Sequence, residues 1–512
     1  MDEISKPSRR RVIPNWRYYT DTLQLGEQET YLLNQNKINI YPIDDYIHDW
    51  IDKKSVYRAS DLISAAICNG QKNNPHVVEA AKFILDSQHK QPTKLQQTAA
   101  QYIFKDDTAH NKNSIKIKDA RDKLTNFQDV RKKIHGLRIM AHLYPYNPVL
   151  YVDLARAYTI VGQMVKAENM IRIALSLDSQ SRFVARSAAR FYIHKGDIDR
   201  AAEIIRKTKY AKKDPWLMAS EVSIGMLRNK YVSSIKLGEQ IIFSDNYDSF
   251  AITELASSLG TIELESGFLK KSRKIFNRSL VAPNDNSLAQ AEWALCYFNN
   301  PLIFNEKDVP CDYETRTFRN LVSGNYKEAL VNAINWVYDM PFSTASVGKA
   351  YDISTMYVKD YKLSSQILEV GLKAHPNSKN MLNNRAYVNA LANDIEEAKK
   401  DMIKLESICS INEGGSFPIC MTATQGLIAY REKNIEEGRA KYDMAIRMAQ
   451  ELNDEELIAK AKLNKIREEI MASNYDTADI FTQLDSIQPS HFNESLLILK
   501  ADILQLLEAN RS

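Results

Sequence analysis

Residues 154–174, LARAYTIVGQMVKAENMIRIA, and residues 188–208, AARFYIHKGDIDRAAEIIRKT, repeat one another at a fixed distance. Ala155 answers Ala189, Tyr158 answers Tyr192, Gly162 answers Gly196, Ala167 answers Ala201 and Ile171 answers Ile205, each pair 34 residues apart. Within each copy the apolar and small residues follow the three- and four-residue steps of one helix face, once before the glycine and once after it. The glycine supplies a turn. Small residues on the facing sides let two helices come close. Each copy therefore reads as a helical hairpin.

Looser copies follow. The small residue of the second helix recurs at Ser234, Ser272, Ala329, Ser364, Ala398, Gly438 and Ala478, at steps from Ala201 of 33, 38, 57, 35, 34, 40 and 40. The stretch GNYKEALVNAINWV, residues 324–337, is one such copy, with Trp336 expected in its core. The step of 57 holds extra material, a helix from about Ser287 to Phe298 and a loop through Pro301 and Pro310, and marks a break between two halves. Pro145, Pro283, Pro341 and Pro376 fall at unit ends, where proline stops one helix or starts the next. A unit of this length and pattern resembles the tetratricopeptide repeat, TPR. The resemblance covers about residues 130 to 490. It implies an all-α superhelical solenoid of antiparallel helix pairs, with the first helix of each pair lining a concave groove.

The remainder of the chain is expected to be helical. Residues 1–20 read as a flexible basic arm and 21–110 as a helical N-terminal region, with helices near Ile43–Lys53, Ser60–Asn69, Pro75–Ser87 and Thr93–Phe104. Ser60, Asn74 and Thr93 are the expected N-caps. Residues 106–114 read as a linker, followed by an amphipathic helix from Ile117 to Ala141. The first repeat array is placed at 111–300, the second at 301–490, and a capping helix at 491–512 with Leu496, Leu497, Leu499 and Leu504 on its apolar face.

Composition agrees with a helical, water-exposed chain. Apolar residues make up 44% and charged residues 26%, while 16 Gly and 15 Pro among 512 residues are few for a sheet-rich or loop-rich fold. Met1 to Trp16 is polar, with no apolar run after it, so no secretory signal is expected, and no run reaches the length of a membrane span. Five scattered cysteines read as reduced thiols of a cytoplasmic protein. Charge is uneven: residues 51–250 carry 33 Lys/Arg against 20 Asp/Glu, and residues 251–512 carry 29 against 36.

The TPR resemblance implies which side chains face the groove. In the unit from Pro148 they are Val149, Val152, Arg156, Thr159 and Ile160; in the unit from Arg182 they are Phe183, Arg186, Arg190, Ile193 and His194. Arg156, Arg186 and Arg190, flanked by Phe183 and His194, suit a carboxylate or phosphate on a partly apolar, acidic peptide. The competing reading pairs these arginines with acids of neighbouring units. A secondary partner-binding face is Asn380, Asn383, Asn384 and Tyr387, whose amides can hold a peptide backbone; capping and solvation is the alternative.

The chain contains no P-loop, no G-x-S-x-G, no H-E-x-x-H, no kinase signature and no C-x-x-C pair. A non-enzymatic protein-interaction scaffold or adaptor, without metal or cofactor and regulating an associated effector, is the expectation. The rival is a nucleic-acid-contacting adaptor that uses basic residues in 105–213: Lys132, Lys133, Arg206, Lys207, Lys209, Tyr210, Lys212 and Lys213.

Overall fold

The computed structural model describes residues 10–18, 43–68, 71–86, 92, 94–104, 128–143, 145–230, 234–244, 246–298, 302, 309–409, 414–473, 476–487 and 494–509. Every regular element among them is helical. They divide into two compact units, one within residues 10–315 and one within 316–512. The boundary lies inside the long sequence step between Gly267 and Gly324.

The first unit opens with α1 (Ile43–Asp52), α2 (Val56–Cys68), α3 (Pro75–Asp86) and α4 (Lys94–Ile103), each packed on the next. Trp50, Leu62, Ile63, Val77 and Ile84 form their core. The backbone amide of His76 donates to the side chain of Asn74, the expected cap of α3. Ser60 is no cap, because α2 begins a turn earlier, where Ser55 accepts from the amide of Arg58. Thr93 and the linker at 106–114 lie outside the described residues, as do residues 117–127 of the amphipathic helix, whose described part is α5 (Gln128–Leu143).

Helix pairs follow: α6 (Pro148–Ile160) with α7 (Met164–Leu177), α8 (Arg182–Lys195) with α9 (Ile198–Lys207), α10 (Pro215–Leu227) with α11 (Ile235–Phe243), and α12 (Thr253–Glu265) with α13 (Leu269–Ser279). The extra helix, α14 (Asp285–Ala294), comes next, and α15 (Tyr313–Val322) carries the boundary. The first helices touch in series, α6 on α8, α8 on α10, α10 on α12 and α12 on α14, and so form one wall.

The second unit contains α16 (Tyr326–Asp339), α17 (Thr344–Asp352, continued by a wide turn through Tyr357), α18 (Tyr361–Ala374), α19 (Lys379–Leu391), α20 (Ile395–Ile408), α21 (Phe417–Arg431), α22 (Ile435–Glu451), α23 (Glu455–Met471), α24 (Thr477–Ser486) and α25 (Glu494–Ala509). Here α19, α21 and α23 form the corresponding wall. Trp336 is buried in α16.

The repeat is written in the backbone as well as in the side chains. Left-handed residues close the first helix of each pair at Gly162, Gly196, Asn229, Gly267, Gly324, Lys359, Asn393, Lys433 and Ser473. Each lies five residues before the small residue of the following helix. The next amide folds back, as from Gln163 to the Tyr158 carbonyl at 2.8 Å and from Asp394 to the Asn389 carbonyl at 2.8 Å, which satisfies carbonyls that the helix end leaves open. The fold is therefore an all-α array of antiparallel helix pairs. Two side-chain expectations are corrected. Ala478 keeps the backbone register but is exposed. On α25 the buried face is Leu496, Ile503 and Leu507, while Leu497 and Leu504 turn to solvent, because the helix rolls onto Ile466, Ile470 and Leu484.

Candidate functional site

Residues 10–18, RRVIPNWRY, run extended along the wall of the first unit. They belong to the expected flexible arm, and their packing overturns that expectation for this stretch. Pro14 fixes its own φ and pushes Ile13 into an extended conformation. Alternate side chains then point to opposite sides. Val12, Pro14, Trp16 and Tyr18 are buried, and the residues between them are half-buried. Trp16 has no exposed surface and meets Phe191 of α8 edge to face, 6.2 Å between ring centroids.

Side chains hold the backbone of this segment at three carbonyls. Gln290 Nε2 donates to the Arg10 carbonyl at 3.1 Å, Asn286 Nδ2 to the Ile13 carbonyl at 2.8 Å, and Arg156 Nε to the Trp16 carbonyl at 2.6 Å. Asn286 and Gln290 are one turn apart on α14 and share a face. A reciprocal cap starts that helix: Asn284 accepts from the amide of Ser287, whose hydroxyl accepts from the amide of Asn284. Gln290 is steadied by a bond to Thr261 Oγ1 at 2.8 Å, and Asn286 by one to Glu254 at 3.1 Å.

Charges on the segment meet acids on the wall. Arg10 forms a two-point pair with Glu314, at 2.7 and 2.9 Å, and Arg11 lies 2.8 Å from Glu265. Arg17 and Asn15 share Asp285 Oδ2, at 2.6 and 2.7 Å. At the far end, the Arg156 guanidinium and the Lys133 ammonium stand 4.1 and 3.6 Å from the centre of the Tyr18 ring.

Of the residues expected to bind a partner, Arg156 touches the segment directly. Arg186 instead forms a buried ion pair with Glu254 of α12, beneath which Trp216 lies 5.0 Å away. Neighbouring Arg182 pairs with Asp214 at 2.8 Å. Phe183, Arg190 and His194 are half-buried on α8, and burial pulls the Arg190 guanidinium down to about 10.

In the second unit, Asn383, Asn384 and Tyr387 line a pocket of about 60 Å³ with Ile419, Leu457 and Asn464; Asn380 is exposed and outside it. The residues of the nucleic-acid reading fall in two places, Lys132 and Lys133 on α5 and the others at positions 206–213, at and just after the end of α9. Lys133 is engaged with Tyr18, Lys207 pairs with Glu203 at 2.5 Å, and Arg206 bonds the Ala202 carbonyl at 3.3 Å. Lys132, Lys209, Lys212 and Lys213 are exposed, and Tyr210 is half-buried with Lys209 5.6 Å from its ring.

No protein-family model matches the chain, and no curated protein does. Solved structures match at low similarity. The APC/C Cut9–Hcn1 hetero-tetramer aligns over 94% of this chain and 99% of its own, with 12% identity and a TM-score of 0.33. Yeast Tom70 aligns over 77% and 95%, with 12% identity and a TM-score of 0.26. An IFIT1 monomeric mutant with Gppp-AAAA aligns over 95% and 98%, with 10% identity and a TM-score of 0.26. Likeness at this level names no partner for this chain.

Asp285, Asn286 and Gln290 do not stand out in the sequence, because α14 breaks the repeat register that locates groove residues, and Glu265 at the end of α12 and Glu314 at the start of α15 read as ordinary helix-surface charge. The segment itself carried a signal: apolar residues alternate from Val12 to Tyr18 around a proline.

Proposed function

We propose that this chain is a protein-binding scaffold whose first unit holds an extended basic and aromatic segment, which residues 10–18 occupy in cis. The observation that carries the reading is the grip on three backbone carbonyls by Gln290, Asn286 and Arg156. Side-chain bonds to a peptide backbone tolerate many sequences, whereas the Trp16 site and the acids Glu265, Asp285 and Glu314 choose among them. Arg186, paired with Glu254, is spoken for. The partner segment is therefore cationic rather than acidic. It displaces the cis segment or takes its place when that segment lifts.

The test is fluorescence anisotropy with a labelled RRVIPNWRY peptide. Wild type, its groove filled, binds weakly. A Val12→Ala/Trp16→Ala variant, with its own segment weakened, binds at least tenfold tighter. Adding Asn286→Ala/Gln290→Ala removes that gain. Equal, weak binding by all three folded proteins sinks the proposal and leaves residues 10–18 as a fixed part of the fold.

A further inference from the structure

The first unit holds a cleft that the reading above does not use. Helices α5 and α7 both pack on α6, and the cleft lies between them. Its floor is Tyr151, Leu154 and Tyr158, spaced along one face of α6. At about 100° per residue, that face is opposite Arg156, so the cleft and the groove of residues 10–18 use different sides of the helix. One wall is α5, with Arg138 and His142 a turn apart, and the other is α7, with Lys166 and Asn169. The space is about 510 Å³, within the roughly 300–1,000 Å³ of small-molecule sites.

Charge and an open hydroxyl narrow the ligand. Arg138, His142 and Lys166 are exposed, and no acid lines the cleft. Glu168, on α7 between the two wall residues, is held elsewhere by Lys195 at 2.7 Å. Among the described residues Arg138 and Lys166 have no ion-pair partner. The Lys166 ammonium instead stands 5.7 Å from the centre of the Tyr158 ring, over the floor. Tyr158 is 8% exposed, yet its hydroxyl, which reaches solvent, has no hydrogen-bond partner among the described residues. A tyrosine buried to this degree usually has one. The Tyr151 hydroxyl shows the usual case, donating to the Pro145 carbonyl at 3.0 Å.

We propose that the cleft between α5 and α7 binds a nucleoside phosphate. Its phosphates meet Arg138 and Lys166. Its flat base lies on the floor of Tyr151, Leu154 and Tyr158. The Asn169 amide, both donor and acceptor, matches a polar base edge, and the Tyr158 hydroxyl gains a partner. A bare inorganic anion leaves the apolar floor unused. A phosphotyrosine ring has no polar edge and leaves Asn169 unused. This site is separate from the groove filled by residues 10–18 and stands whether or not that groove takes a partner in trans.

The experiment is isothermal titration calorimetry of the full chain with ADP, GDP and UDP. Wild type should bind at least one of them saturably. Arg138→Glu/Lys166→Glu, at two exposed positions, should weaken that binding at least tenfold. Tyr158→Phe, which removes only the hydroxyl, should weaken it about threefold or more. Lys209→Glu/Lys212→Glu makes the same change of charge outside the cleft and should bind within about twofold of wild type. Matching circular-dichroism melts establish that each variant is folded. No saturable binding of any of the three nucleotides to wild type overturns the site. Equal weakening by the two charge-reversed pairs, or binding unchanged by both cleft variants, overturns the cleft as its place. Pyrophosphate binding as tightly as the nucleotide overturns the base assignment, and O-phosphotyrosine binding as tightly overturns the nucleoside one.

Discussion

The side-chain amide of Asn286 donates at once to the Ile13 carbonyl, at 2.8 Å, and to the Glu254 carboxylate, at 3.1 Å. Glu254 is also the partner of Arg186 and accepts from Asn284 at 3.0 Å. One amide thus ties an extended segment to a buried ion pair that crosses from α8 to α12. The groove floor and its occupant share a single polar network, and such networks lose more than a pairwise sum when one member is removed.

Loss of the aromatic anchor should release the segment. Trp16 is wholly buried, and removing a buried indole costs about 3–5 kcal/mol. Asn286→Ala, which removes hydrogen bonds, should cost less, about 1–3 kcal/mol. Trypsin cleavage after Arg11 and Arg17, followed by mass spectrometry, measures the opening. Both variants should be cut faster than wild type, with Trp16→Ala the faster, and with the α6–α13 region still resistant. Unchanged cleavage in Trp16→Ala would mean that the indole does not hold the segment down.

The Arg11–Glu265 pair is open to a charge swap. The two side chains are 9% and 31% exposed and 2.8 Å apart, so their coupling should be modest, about 0.5–1 kcal/mol. Arg11→Glu and Glu265→Arg should each speed trypsin cleavage after Arg17. The double variant should recover part of the loss, and raised salt should shrink the coupling. Strictly additive single effects would deny any direct attraction.

The repeat was legible because each unit needs one left-handed residue and, five positions on, one small one. Those two demands leave Gly162 with Ala167 and Gly196 with Ala201 visible in a single chain. Where Asn229, Lys359 or Lys433 takes the left-handed place, the sequence signal fades although the turn persists. The groove was legible only in part. Arg156 lies on a regular first helix, where the register points to it, and it bonds the Trp16 carbonyl. Arg186 lies on an equivalent face, but Glu254, distant in sequence, neutralises it. Asn286 and Gln290 sit on a helix outside the repeat, and no spacing rule reaches them. The burial of Val12, Trp16 and Tyr18 depends on a wall assembled from five later helices, which no local pattern contains.

A buried acid should make the second unit sensitive to pH. Asp352 is 4% exposed, both its carboxylate oxygens lack a hydrogen-bond partner, and its nearest ion-pair contact is Lys349 at 3.9 Å. Burial raises it from 3.8 to about 6 against the pull of Lys349 and Lys460. The folded state holds this proton more tightly than the unfolded chain. Its contribution is therefore fully present below about pH 4 and lost as pH rises through about 6, with a penalty on the order of 3 kcal/mol above that. Asp352→Asn should remove this loss, so that its stability gain over wild type grows from pH 4 to pH 7. Calorimetry across that range is the check, and a constant difference between the two proteins would contradict the burial argument.

Two glycines should respond oppositely to the same methyl group. Gly438 lies inside α22, where an added Cβ would stand 2.5 Å from Tyr430 Cδ2 and 2.8 Å from Cε2. The ring cannot swing away freely, because the Tyr430 hydroxyl donates to Glu469 at 2.7 Å and Arg439 grips the same carboxylate at 2.8 and 2.9 Å. Gly438→Ala should therefore destabilise by about 1–3 kcal/mol, as overpacked cores do. Gly136 lies inside α5 with nothing within 4 Å of its would-be Cβ. There alanine only removes the backbone freedom of glycine, and Gly136→Ala should stabilise by up to about 1 kcal/mol. Thermal melts of both variants, with Gly438→Ala/Tyr430→Leu as the relief of the clash, decide the matter. Recovery in that double variant assigns the cost to the ring. No recovery moves the cause to the α21–α22 backbone contact, where a Cβ on Gly426 would in turn stand 3.2 Å from the Gly438 carbonyl.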